Sequence, residues 1–327
     1  MTALPSRAAP PSRPLAARLA RRHGQEIVIL LALMALFAGV GAFNPRFLAS
    51  NNLVSIFSGN SYIAVAAIGM AIVIVTGHID VSVGALIGVL ATISGTLATH
   101  GFPVAVAWGV PVVVGVAVDA AVGALVAYAG IPSIVVTLGM LSILRGGLIA
   151  ATGGAWISGL PPEFLLAQGR ILSVPVPVLA MVALTVLVAA FMALAPLGRA
   201  FYAVGGNGEA ARATGLSVER LTVLAFAANG LFAGLAAILF ATQLQVIQST
   251  VPPNLELTVI TAAVIGGVSI LGGTGTVIGS TLATILFGTI ASAFVFVGIS
   301  PYWRGAVIGG LILVTVLADM ARRRRFL

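Results

Sequence analysis

The sequence predicts an all-α integral membrane protein with about ten transmembrane helices. Two compositional facts and one pattern carry that expectation. Hydrophobic residues make up 60% of the chain, charged residues only 7%, and apolar windows cover most of it after Glu26. A soluble domain averages about 25% charged residues, and a hydrocarbon core about 30 Å thick calls for roughly 20 apolar residues per helical crossing.

Residues 1–25 are rich in Pro, Ala and Arg and have no apolar face, so they read as a disordered, basic cytoplasmic tail. Arg21 and Arg22 ahead of the apolar run 27–43 imitate a signal peptide. The run is long for that, no small-residue cleavage site follows, and further spans come after, so it reads as the first transmembrane helix. The next runs are 53–75, 83–98, 104–129 and 134–151. A polar stretch, 152–175, separates them from 176–195, 221–244, 257–270, 277–297 and 305–317. The membrane domain thus covers 26–320, and 321–327 form a second basic cytoplasmic tail.

Ten crossings put both termini on one side. Twelve of the sixteen arginines lie at 7–22, 199–220 and 322–325, and all three clusters fall on that same side. Excess arginine marks cytoplasmic loops, so both termini and the 199–220 segment are expected in the cytoplasm. The 152–175 segment, carrying Trp156 and Glu163, is expected outside. It reads either as a docking surface for an external partner or as an interfacial loop anchored by Trp156. Eight crossings are the alternative if the segments around Gly77 and Gly272 are broken or re-entrant.

The chain also suggests two related halves. VTGHIDVSVG (75–84) parallels VIGGVSILGG (264–273), each after an apolar run and before a glycine-spaced helix. Duplicated transporter folds set glycine-interrupted segments around the solute site, because unwound backbone is tolerated only where it lines a cavity. Chance similarity between Gly/Val-rich membrane stretches is the competing explanation.

Several chemistries are excluded. There is no cysteine, and His23, His78 and His100 are scattered, so no metal site or other cofactor is expected. There is no lysine, and a phosphate-binding P-loop needs one to reach the β- and γ-phosphates. Any nucleotide engine must therefore be a separate subunit. The net charge of +8 reflects arginines flanking apolar runs rather than a surface that tracks phosphates, so nucleic acid is not an expected partner. Neither a Ser/Lys dyad nor paired carboxylates at working spacing point to an enzyme.

Polar residues inside apolar runs, or in the short gap between the second and third, are the candidate translocation pathway: Asn60, His78, Asp80, Ser82, Asp119, Arg145 and Gln243. A carboxylate among apolar spans is expensive and should face a cavity, a partner group or water. Asp80 and Ser82 have a second reading, as caps for the orphan amides of the following helix. Asn60, Asn229 and Gln243 also read as glue between helices, and Asp119 and Arg145 as lining a pathway or pairing with neighbours. In the cytoplasmic segment, Asn207 is placed to cap a short helix over 208–214, and Gly215 to end it. Such a capped helix can pass motion from a soluble partner into the bundle, or be an ordinary surface helix.

These segments carry a resemblance. IDVSVG (79–84), IPSIVVTLG (131–139), TGGAWISGLP (152–161), GRAFYAVGGNGEAARATGL (198–216) and the stretch 257–273 together resemble the permease subunits of bacterial ABC sugar importers of the ribose/xylose type. The similarity spans nearly everything after residue 45, and the 79–84 and 156–161 pieces lean toward the rhamnose and autoinducer-2 permeases. The resemblance implies alternating access in a bacterial cytoplasmic (inner) membrane, with a second permease copy or paralogue, a pair of cytoplasmic ATP-binding subunits and a periplasmic solute-binding protein. It places Gly206, Asn207, Glu209, Arg212 and Gly215 on the loop that meets the ATPase. Two departures stand out: His78 where such permeases often have glycine, and Val122-Gly123 where they often have Asn-Gly. Asp119, one helical turn before Val122, is positioned to replace that polar contact. A branched-chain amino acid permease and an ion-coupled secondary transporter are the rival readings.

Overall fold

In a computed structural model of the chain, residues 15–243, 246–248, 254–300, 302, 303, 305–307, 309–311, 313 and 317 are described. The terminal stretches 1–14 and 321–327, and parts of the tenth apolar run, lie outside the described residues. Eleven α-helices are defined: α1 (Leu15–Phe43), α2 (Ser50–Val75), α3 (Val83–Thr99), α4 (Val104–Tyr128), α5 (Ser133–Thr152), α6 (Val176–Leu194), α7 (Pro196–Gly206), α8 (Gly208–Ala213), α9 (Val218–Gln243), α10 (Leu255–Ile265) and α11 (Val277–Val297).

Among the described residues seven of these are long and apolar enough to cross a membrane, while α3 and α10 are apolar but shorter. The shortening has a local cause. Gly77 (φ +86°) and Gly267 (φ +99°) take left-handed backbone that ends α2 and α10. The chain then runs unwound, through 76–82 and 266–276, before α3 and α11 begin. Hydropathy continues through the second of these turns, which is why the apolar run 257–270 outlasts α10. Two other boundaries differ from the sequence reading. Helix α1 starts at Leu15, directly after Pro14, so 15–25 is helical, and the apolar span within this helix begins at Gly24. Residues 199–206, in the segment read as an inter-span loop, are helical and belong to α7, which Pro196 opens at a first-turn position.

The centre of the bundle is α2. Residues 63–76 are buried without interruption, so the second half of this helix is enclosed on every face and has no solvent or lipid side. Helices α9, α11, α10 and α6 pack around it and α3 packs on α9 and α4, while α1, α4, α5 and α6 keep most of their apolar surface exposed. The α4–α9 contact is the tightest. A Cβ on Gly234 would lie 2.6 Å from Val112 Cα, one on Gly123 would lie 2.8 Å from Phe226 Cβ, and one on Gly230 would overlap Gly115 carbonyl oxygen. Glycines let the two backbones touch where larger side chains would hold them apart.

At one end, the 152–175 segment is ordered. Ile157 and Ile247 exchange backbone hydrogen bonds of 2.9 Å each way, Phe164 is buried, and a two-residue hairpin pairs Arg170–Ile171 with Val174–Pro175. The glycine turns of the two unwound segments, at Gly77 and at Gly272–Gly273, meet α7, and 76–82 runs from there into the bundle.

Candidate functional site

Four fully buried polar side chains meet inside the bundle: Asp80, Ser82, Asp119 and Asn229. Asp80 sits on the unwound segment after Gly77, Asp119 on α4, and Asn229 on α9. Asn229 Nδ2 donates to Asp80 Oδ2 at 2.8 Å and to Asp119 Oδ2 at 2.9 Å. The other Asp80 oxygen accepts from Ser82 N at 2.8 Å and Ser82 Oγ at 2.5 Å. One amide thereby ties three chain segments through two carboxylates. The capping alternative fails for Ser82: its hydroxyl turns to Asp80 and makes no bond to the amides of α3.

Unwound backbone inside an apolar bundle needs partners. Helix α5 supplies them: Ser133 Oγ accepts from Ile79 N at 3.3 Å, and Thr137 Oγ1 lies 3.5 Å from Ile79 O. Both side chains are buried and one turn apart. The i, i+4 spacing of Ser133 and Thr137 was visible in the IPSIVVTLG motif, but nothing local to it named the strand of backbone it would serve. The His78 ring packs beside Phe226, with centroids 6.1 Å apart.

A second polar pair lies between α5 and α10. Arg145 Nη2 is 3.6 Å from Glu256 Oε1, with the arginine side chain 43% exposed and the glutamate 8%. Glu256 stands in the first turn of α10, and its Oε2 packs where a Cβ on Gly84 would come within 2.6 Å. The α10 helix therefore starts beside the opening turn of α3, deep in the bundle. Among the pathway candidates, Asn60 and Gln243 sit elsewhere. Asn60 donates to Ile56 O on its own helix at 2.7 Å and packs on Gly288 of α11; Gln243 reaches Gly59 O at 3.5 Å.

The α7–α8 corner forms a third constellation. Asn207 Oδ1 accepts from Ala210 N at 3.0 Å, capping α8. At the other end Gly215 (φ +89°) closes it: Leu216 N bonds Ala211 O at 3.1 Å and Gly215 N bonds Arg212 O at 2.9 Å, the paired bonds of a Schellman motif. Arg212 Nη2 bonds Glu219 Oε1 at 2.5 Å, joining α8 to the start of α9. Glu209 is exposed in the first turn. Gly206, the last residue of α7, packs on Gly273, where a Cβ on the latter would meet Gly206 Cα at 2.6 Å. Next to it Gly205 is pressed against the end of α2, and Gly272 fits between Gly205 O (2.8 Å) and Gly77 Cα (2.9 Å). Gly273 N donates to Val75 O at 2.8 Å. Three glycine turns, from α2, α7 and the α10–α11 link, thus interlock. Tyr202 of α7 adds a bond to Gly275 O at 2.9 Å. Burial, and then the Glu26 carboxylate, push its phenol above the usual tyrosine range.

Nothing in these clusters is set up for covalent chemistry, and among the described residues no group of three or more His, Cys, Asp or Glu is placed to hold a metal ion. Long apolar helices around a sealed polar centre define a multi-pass membrane protein. Its sequence places it further: the chain belongs to the family described as branched-chain amino acid transport system/permease component, which matches residues 52–316. It is therefore a component of a transport system rather than an enzyme. Among individual proteins it is 37% identical over 304 residues to the autoinducer 2 import system permease protein LsrC of Enterobacter sp. (strain 638), covering 93% of this chain and 88% of that one. The proteins of the same name from Salmonella typhi and Escherichia coli (strain K12 / DH10B) are also 37% identical, with 87% and 89% of their lengths covered. No solved structure matches the chain.

Proposed function

We propose that this chain is the membrane-spanning permease subunit of an ABC importer for a sugar-like solute of the autoinducer-2 class. The observation that carries the proposal is 37% identity to autoinducer 2 import permeases across 93% of the chain. The structure supports a mechanical route for it. Helix α8, fixed at both ends by Asn207 and Gly215, receives a cytoplasmic ATP-binding subunit. Its motion reaches α2, the 76–82 segment and the 266–276 segment through the interlocked glycines. Because those segments flank the bundle interior, a shift of α7 alters which side of the membrane the interior faces.

In this reading the arginine clusters set both termini and α7–α8 in the cytoplasm, and the ordered 152–175 segment receives a periplasmic solute-binding protein. A second permease copy covers the exposed face of α5. An arginine half exposed in a membrane span requires water or a polar partner, so Arg145 and Glu256 line the solute path between the two copies. Lipid covers the outer faces of α1 and α6.

The test is reconstitution of the chain with its cognate ATPase and binding protein in proteoliposomes. Uptake of autoinducer-2 that requires ATP is the expected result. Uptake that persists without ATP and collapses with an ion gradient would reject the scheme in favour of a secondary transporter. The family's description favours one further reading, a branched-chain amino acid importer. A cognate binding protein that retains leucine and releases sugars would select it.

A further inference from the structure

We propose that the Asp80–Asn229–Asp119 cluster is a proton-binding site, with the proton held on Asp119 Oδ1. The hydrogen-bond inventory leads there. Both Asp80 oxygens are satisfied as acceptors, by Ser82 and by Asn229. Asp119 Oδ2 is satisfied by Asn229. Two buried oxygens remain without a partner, Asp119 Oδ1 and Asn229 Oδ1. Both are acceptors when the carboxylate is ionised, so no rearrangement of the existing hydrogens can satisfy either. A protonated carboxyl group gains one O–H donor and keeps its other oxygen as an acceptor. With the proton on Asp119 Oδ1, Asp119 Oδ2 still accepts from Asn229, and the vacant Oδ1 becomes a donor able to serve an acceptor such as Asn229 Oδ1.

The charge count agrees. Two ionised carboxylates bridged by one amide would bury two negative charges, and among the described residues neither has an ion pair. Among the described residues, the elements packed around them bring no arginine into an ion pair with either carboxylate. Helices α2 and α3 carry no acidic or basic side chain, and α4 carries only Asp119. Arg145 of α5 is engaged with Glu256. Glu219 and Arg220 lie in the first turn of α9, three helical turns from Asn229. His78 packs its ring on Phe226. Unpaired charge in such surroundings is strongly disfavoured, and one proton removes half of it at Asp119, whose Oδ1 is free where both Asp80 oxygens are engaged. Asp80 is the wrong place for that proton, because all of its acceptor positions in use face N–H or O–H donors.

Infrared spectroscopy of the purified full-length chain tests the site. The sequence has only eight acidic residues, and an ester-free detergent leaves the protonated-carboxyl carbonyl region clear. At neutral pH the wild type should show a carboxylic-acid carbonyl band that moves down in heavy water and shifts when aspartate is labelled with ¹³C at its side-chain carboxyl. Asp119→Asn, which replaces the O–H donor by an N–H donor and keeps the acceptor, should lose the band and melt with the wild type. Should that variant not fold, labelled Asp319→Asn takes its place: retention of the band assigns it to the buried pair. Absence of any labelled acid band in the wild type overturns the proposal, as would appear if sodium rather than a proton balanced the charge. A band of full intensity in Asp119→Asn, or its loss in Asp319→Asn, overturns it as well.

Discussion

Gly205 near the end of α7 and Val75 at the end of α2 are in direct backbone contact, so that a Cβ added to Gly205 would overlap the Val75 carbonyl oxygen. That oxygen already accepts from Gly273 N. Gly205→Ala therefore has to push α7 away from two glycine turns at once. Overpacking of this kind costs about 1–3 kcal/mol, and here it also separates α8 from the elements it is proposed to drive. The expected outcome is a lower thermal midpoint together with reduced ATP-dependent uptake. Gly208→Ala is the matched control for packing, since nothing beyond its chain neighbours and its own helix lies within 4 Å of its Cβ, and it should leave the thermal midpoint unchanged.

The Asn207 cap makes a separable prediction. Asn207→Ala removes the acceptor of Ala210 N and should destabilise α8 by about 1 kcal/mol, while Asn207→Asp or Asn207→Ser should restore most of it. Because α8 is a surface helix, the whole protein should melt nearly as before. Hydrogen exchange at the Ala210 amide should speed up, and coupling should fall: ATP hydrolysis by the assembled importer would respond less to loaded binding protein. Unchanged exchange at Ala210 would show that the cap does not hold the helix.

These two cases show what was readable in the sequence. The α8 cap and its glycine stop lie within nine residues of one another, from Asn207 to Gly215, and local chemistry names them. The long apolar spans were equally plain, since hydropathy is a local sum. Contacts across the bundle were not. Asn229 reads as one amide among apolar residues, and only folding shows that its two partners are Asp80 and Asp119, 149 and 110 residues away. Asp119 and Arg145 were each read as lining a pathway or pairing with a neighbour, but the sequence named neither partner: Asn229 for the aspartate, Glu256 for the arginine. The end of α10 at Ile265 was hidden for a related reason. The turn depends on Gly266 packing against Gly279 and Ser280 of α11, whereas the apolar run continues to 270.

Asn229→Leu probes the bridge without changing volume much. It leaves Asp80 Oδ2 and Asp119 Oδ2 buried with no donor, and each unsatisfied group costs about 1–3 kcal/mol. The close fit of Gly69 to Asn229, with a Cβ meeting Asn229 Oδ1 at 2.9 Å, leaves no room for repacking. The variant should insert in the membrane poorly and melt well below the wild type. Adding Asp119→Leu to it removes one of the stranded carboxylates and should recover part of the loss. Additive losses in the double variant would mean the two side chains do not act through each other.

The Arg145–Glu256 pair sets a last expectation, in which stability and transport diverge. Arg145→Gln strands the Glu256 carboxylate, which is 8% exposed, so the single variant should be destabilised more than the reverse change, Glu256→Gln, which leaves a half-exposed arginine with water available. Partner loss beside a buried charge is the costly direction. In the double variant Arg145→Gln/Glu256→Gln, neither charge is left alone. Its thermal midpoint should exceed that of Arg145→Gln, with a coupling of about 0.5–3 kcal/mol in the double-mutant cycle. Uptake should not follow that recovery if the pair lines the solute path, because both charged groups are gone from it. A double variant that regains stability and transport together would reduce the pair to a strut between α5 and α10.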